Sequence, residues 1–201
     1  MAIQRQGEIA LKSVFGNYVE SDSGDWEFLD VAISMSSDSA ESDWRKNTLC
    51  AEFIGKYMLN TIESHKQTSN SESRDIKDAI NYIANELFEN AVKFTTVVSN
   101  KAICFRVENV GNVVRFYVRN SIDKARIESF QKLISELLSG DPAEMYFQRI
   151  EANEESESGN TSGLGYLSIM NDYDAGLAWK FDISSGADTP SYVTTMIQID
   201  V

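Results

Sequence analysis

The sequence predicts an α+β fold, a two-layer sandwich in which a mixed, mostly antiparallel sheet carries helices on one face. Three observations predict it. A helical pattern from near Ser73 to Phe94 puts Ile76, Ala79, Ile80, Ile83, Leu87, Ala91 and Phe94 on one apolar stripe. Two pairs of segments alternate between apolar and polar residues, Ala102 to Arg119 and Leu177 to Ile199. Between those pairs lies a helical insertion. Each strand shows a single apolar face, so helices are expected on one side of the sheet.

The elements follow in order. Gly7 to Phe15 reads as a short strand, Ser21 to Asp25 as a turn, and Phe28 to Met35 as a strand. Ser42 and Asp43 are candidate N-caps for a helix over Trp44 to Ile62, with Leu49, Phe53, Ile54, Tyr57 and Met58 as its buried side. Glu63 to Ser73 reads as a polar loop ahead of the long helix. Asn109-Val110-Gly111-Asn112 joins the first two alternating strands as a hairpin. Cys104 falls on the polar side of that alternation. Ile127, Phe130, Leu133, Ile134, Leu137 and Leu138 are helically spaced before Gly140. Asp141-Pro142-Ala143-Glu144 places a cap, an N1 proline and a capping-box glutamate before a second short helix to about Ala152. Glu154 to Asn160 is acidic and polar. A short helix to about Tyr173 follows the glycines, and two strands close the chain around a turn at Gly186 to Pro190.

Composition bounds the function. The 201 residues suffice for one domain with a proper core, and 42% hydrophobic with 10% aromatic residues means a globular chain. A net charge of −13 argues against bulk electrostatic binding to nucleic acid or an anionic membrane. An anionic ligand needs a local exception to that field. The two cysteines form no CxxC and fit a reducing compartment. The one histidine, His65, sits in a polar stretch, which excludes a histidine zinc site and disfavours a Ser/His/Asp triad. No signal-peptide pattern or bilayer-length apolar run is present, so the chain reads as cytosolic.

The chemistry concentrates in two stretches. On the long helix, Glu86, Asn90 and Lys93 fall within an arc of about 60° beside the apolar stripe, while Asp78, Asn85 and Glu89 point towards solvent. A carboxylate, a neutral oxygen ligand and an ammonium thus share one flank. The second stretch is Ser162-Gly163-Leu164-Gly165-Tyr166-Leu167. Its glycines let backbone N–H groups approach phosphate oxygens, and the helix after them points its positive end at the same place.

Glu86-Leu87-x-x-Asn90-Ala91-x-Lys93 resembles the N-box of the GHKL, or Bergerat-fold, ATPases, which include histidine-kinase ATP domains and anti-sigma-factor kinases. Asn90-Ala91-Val92-Lys93-Phe94-Thr95 is similar to the histidine-kinase form. Ser162-Gly163-Leu164-Gly165 resembles the glycine box that ends the ATP lid. Asp141 to Phe147, Gly163 to Leu167 and Asn171-Asp172-Tyr173 resemble the cyanobacterial branch of the DUF6272 group of SiaB-type kinases. The likeness covers about residues 28–201. It implies one domain over 1–201, with 1–27 an N-terminal extension and 121–162 a lid region. It also implies a cytoplasmic partner-switching regulator that binds ATP with Mg²⁺ and phosphorylates a serine of a STAS-domain antagonist. A sigma-factor-like partner and a homodimer belong to the same picture. By that resemblance Asn90 holds the metal, Lys93 contacts a phosphate, and Glu86 orients or deprotonates the acceptor hydroxyl. Ser162, Gly163, Leu164, Gly165 and Tyr166 form the phosphate loop, and Thr195 reaches the base end.

The pattern departs at the adenine box, where Asp-x-Gly-x-Gly is replaced by Asn120-Ser121-Ile122-Asp123-Lys124. Asparagine accepts the adenine amino hydrogen through a neutral carbonyl instead of a charged carboxylate. The departure leaves two alternatives to the kinase: a non-catalytic interaction module, and a pocket repurposed for FAD as a light or redox sensor. In the latter, Tyr166, Tyr173 or Trp179 would wall a flat slot for the isoalloxazine ring.

Overall fold

The computed structural model describes residues 9–21, 26–33, 40–95, 103–155, 163–186 and 189–201. Its strands are β1 (Ile9–Phe15), β2 (Glu27–Ile33), β3 (Ile103–Val110), β4 (Val113–Ile122), β5 (Gly176–Ser184) and β6 (Ser191–Asp200). Its helices are α1 (Ala40–His65), α2 (Asn70–Phe94), α3 (Lys124–Ser139), α4 (Pro142–Glu155) and α5 (Leu164–Tyr173). The strands form one six-stranded sheet in the order β1-β5-β6-β4-β3-β2. Every neighbouring pair is antiparallel, where the sequence suggested a mixed sheet.

Strand alternation decides which face meets the helices. Ile103, Phe105 and Val107 of β3, Val114, Phe116 and Val118 of β4, and Trp179 and Phe181 of β5 are all buried in one core with α1, α2 and α5. Phe88 of α2 stacks on Phe105, ring centroids 4.6 Å apart, and Phe105 meets Phe116 edge-on. The hairpin turn is two residues long and carries Gly111 at φ 69°. Cys104 is exposed, as its place in the alternation requires.

Two helix boundaries and the orientation of one helix differ from the sequence reading. α1 runs from Ala40 to His65, so the expected caps Ser42 and Asp43 lie inside it. The loop between α1 and α2 is short because Ser69 caps α2. Its Oγ accepts the Glu72 N–H, and Glu72 reaches back to the Ser69 N–H, so the helix starts at Asn70. The orientation of α1 differs more. Ala51, Ile54, Met58 and Ile62 are its buried residues, whereas Leu49, Phe53 and Tyr57 are 66%, 54% and 38% exposed. Two stripes run along this helix at the same spacing, and the one bearing Ile54 and Met58 packs into the core.

β1 and β2 are consecutive in the chain but occupy opposite edges of the sheet. Their connection therefore crosses the face away from the helices. It turns at Gly16 (φ 72°), where a β-carbon would come within 2.5 Å of the Leu177 carbonyl oxygen. Tyr18 then meets Tyr117 edge-on over a small second cluster of Tyr117, Ala178 and Met196. The Val19 N–H points to Met196 Sδ, Glu20 pairs with Lys180 at 2.7 Å, and Ser21 Oγ donates to the buried Glu108 carboxylate.

Candidate functional site

A cavity of about 1010 Å³ opens between the two layers and the α3–α4 arm. The last turns of α2 supply Asn90 and Lys93. β4 and β6 supply the floor, where the pairs Val118↔Thr195 and Asn120↔Val193 bring four side chains into one patch. α3 contributes Arg126, Phe130 and Leu133, α4 contributes Arg149, and the segment at the start of α5 contributes Gly163 and Tyr166. Of the sequence candidates, Asn90, Lys93, Asn120, Gly163, Tyr166 and Thr195 therefore converge. Leu164 and Gly165 start the adjoining helix without lining the cavity, and Ser162 lies outside the described residues.

The sequence reading missed two cations, Arg126 and Arg149. With Lys93 they put three positive side chains around the cavity, and among the described residues no Asp or Glu lines it. In a chain of net charge −13 this is a local reversal of sign. The signal was present in the spacing: Arg126, Phe130 and Leu133 share one face of α3, so that face is not simply solvated.

The two glycines make room for side chains. Gly163 is left-handed (φ 86°) and caps α5 with no side-chain hydrogen bond, which leaves the first N–H groups of the helix without a side-chain partner. A β-carbon at 163 would overlap Arg149 Nη1, and one at 165 would overlap Glu86 Oε2. Arg149 thus rests on the glycine turn, and the Glu86 carboxylate lies on the first turn of α5, outside the cavity wall proper.

Burial, reinforced by the nearby Glu89 charge, pushes the Glu86 carboxyl above the usual glutamate range. The native state then holds the proton more tightly than the unfolded chain does. Stability contributed by this group is present at low pH and falls as pH rises through the raised value. Glu86→Gln should remove that decline and match the wild type at low pH, as urea titrations across a pH series would show. Asn85 is half-buried instead of fully solvent-facing: its Nδ2 donates to Glu89 Oε1 at 2.9 Å, and its Oδ1 is buried without a partner.

On the cavity floor, Asn120 is buried and its Nδ2 donates to the Ser121 carbonyl at 3.0 Å. The amide nitrogen is thus engaged, and the oxygen is the group Asn120 offers, the same polarity an aspartate would present. Thr195 is buried beside the Tyr166 hydroxyl. Burial raises the Tyr166 pKa, partly offset by Thr195 and Trp179 alongside. Phe94 stacks on Phe130, with centroids 6.3 Å apart and planes 18° apart, and gives the cavity an aromatic wall. Trp179 and Tyr173, the other expected walls of a flavin slot, do not line it. Trp179 is fully buried, edge-on to Tyr166, and Tyr173 packs against Tyr82.

Among the described residues no three His, Cys, Asp or Glu side chains cluster as a metal site. Asn90, the residue that the resemblance assigns to a metal, lines the cavity, and Glu86 does not line it. No described helix is long and apolar enough to cross a membrane.

No family model matches the sequence, and no curated protein matches it. Among solved structures, a chain in the crystal structure of the SiaB–SiaC complex from Pseudomonas aeruginosa matches with a TM-score of 0.55 and 16% identity, over 85% of this chain and 89% of that one. At that identity the likeness is one of fold: this chain has the α+β sandwich of that neighbour, an antiparallel sheet layered with helices.

Proposed function

We propose that the chain is a signalling regulator that binds an adenine nucleotide in this cavity and acts through a protein partner. One observation carries the reading: Lys93, Arg126 and Arg149 converge with the glycine turn on a cavity that no carboxylate of the described residues lines. That arrangement suits the phosphate chain of a nucleotide. Val118, Ile122 and Val193 offer an apolar seat for the base, and the Asn120 oxygen can accept its amino hydrogen. The SiaB–SiaC neighbour, a two-protein complex, supports a regulator of the partner-switching type; a STAS-domain antagonist is the partner this reading assigns.

ATP with Mg²⁺, when bound, supplies a transferable γ-phosphoryl group. Glu86 is the residue to accept the proton of an incoming serine hydroxyl, because its raised pKa brings it nearer the working pH. The serine oxygen gains the bond to phosphorus, the bridging oxygen leaves with ADP, and the proton ends on Glu86. The cations offset the charge on the phosphates.

Titration calorimetry with ATP, ADP and AMP should give affinity that falls with each phosphate removed. No heat with any of them would leave the cavity without a nucleotide role. Glu86→Gln should bind ATP as tightly as the wild type yet transfer no labelled phosphate to the partner; unchanged transfer would remove Glu86 from the chemistry. A larger adenine cofactor, FAD, is the second reading, favoured by the cavity's volume and the Phe94–Phe130 wall. Flavin absorbance in the purified protein would select it.

A further inference from the structure

We infer that Gly165 is a positioning residue for Glu86: the space left by its missing side chain is where the Glu86 carboxylate is held. The role rests on the kinase reading, in which Glu86 accepts the proton of the incoming hydroxyl. Gly165 is the second residue of α5 and has helical backbone, unlike left-handed Gly163. Alanine is favoured over glycine in a helix, so backbone freedom gives no reason for a glycine here. The cavity gives none either, because Gly165 does not line it. The neighbouring side chain does give one. Apart from its chain neighbours and the helix backbone, the three atoms nearest to a β-carbon at 165 would all belong to Glu86. They are Oε2, which it would overlap, Cδ at 3.1 Å and Cγ at 3.8 Å.

A second set of contacts fixes which side of α5 meets Glu86. One turn before Glu86 on α2, the Tyr82 hydroxyl donates to Ser168 Oγ at 3.0 Å, and Ser168 Oγ donates to Asp172 Oδ2 at 3.0 Å. The Tyr173 ring packs on Tyr82, centroids 5.9 Å apart. Tyr82 thus meets Ser168 while Glu86 meets Gly165, so α2 and α5 run antiparallel along this seam. One turn further along α2 is Asn90, which lines the cavity together with Gly163. The carboxylate is therefore held against the positive end of α5, which favours it there, a single helical turn from the cavity wall. A general base must sit within hydrogen-bond reach of the proton it takes. A displacement of about 1 Å can cost about a hundredfold in rate, and a methyl group at 165 forces a displacement of that order.

Two double-mutant cycles on the full chain test this. The first reads γ-phosphate release from ATP with Mg²⁺, water standing in for the serine hydroxyl. Gly165→Ala should slow release about a hundredfold while ATP affinity changes less than about threefold. In a Glu86→Asp background the same substitution should cost less than about threefold, because the shorter side chain leaves room for the methyl group. The second cycle needs no nucleotide and reads thermal melts. In a Glu86→Ala background, Gly165→Ala should raise the melting temperature by about 2–4 °C, the gain expected of alanine in a helix. With Glu86 in place that gain should vanish or reverse. Equal rate losses in the Glu and Asp backgrounds, or equal melting shifts in the Glu and Ala backgrounds, overturn the inference. ATP affinity weakened about tenfold or more by Gly165→Ala makes residue 165 a phosphate contact, and also overturns it. A wild type that releases no phosphate overturns the kinase reading and the transfer role with it, and the melts then decide the contact alone.

Discussion

Lys93→Ala combined with Arg149→Ala is expected to weaken ATP binding by about a hundredfold to ten-thousandfold, because each charged hydrogen bond to phosphate contributes about 1.5–3 kcal/mol. AMP binding should change far less, since the two cations approach the cavity from α2 and from the α3–α4 arm while the proposed base seat lies on β4 and β6. Calorimetry at two salt concentrations gives the check. The wild type should lose ATP affinity steeply with salt, and the double variant should lose much of that dependence. The chain's net charge of −13 makes the experiment decisive: without local cations its overall field repels a polyphosphate. Unchanged ATP affinity would mean that the phosphates lie elsewhere.

Phe88→Ala carries the second large effect, on stability. Phe88 is fully buried and stacks on Phe105, which stands edge-on to Phe116, so these three rings join α2 to the sheet. Truncation of such a residue costs about 3–5 kcal/mol through lost transfer energy and the cavity left behind. For a chain of this length that lowers the melting temperature by about 6–20 °C. Phe88→Leu should cost less than half as much. Thermal melts of the two variants beside the wild type would show it, and equal melting temperatures would mean that the stack contributes nothing. The same rings hold the helix that presents Asn90 and Lys93, so Phe88→Ala should also loosen nucleotide binding.

The sheet was legible because strict alternation leaves one buried face per strand, and a one-residue slip would expose the whole set. The apolar residues of β3 and β4 and of the closing pair β5 and β6 all lie where that rule puts them. α2 was legible because its polar flank is wide and its apolar stripe unbroken. α1 was not, because Leu49, Phe53 and Tyr57 form a stripe as regular as that of Ile54 and Met58, and periodicity cannot say which of two stripes meets the sheet. The site was legible where its residues sit in compact motifs, on α2 and at the start of α5. Arg126 and Arg149 escaped because a lone arginine on a surface helix looks like ordinary solvation until the fold turns it inward. The glycines were read as spaces for phosphate, yet Arg149 and Glu86 rest there, a fact of packing that no local pattern encodes.

The crossing connection between β1 and β2 has a kinetic consequence. β1 finds its partner, β5, only far along the chain, and the Glu20–Lys180 pair that fastens the connection spans 160 positions. Contacts that distant close late, because the loop entropy must be overcome before they form. During synthesis, β1 and its connection must therefore wait until β5 has emerged. Until they dock, the edge of β5 lies unpaired and the Tyr117, Ala178 and Met196 cluster is uncovered, so the late-folding intermediate is the species most prone to self-association.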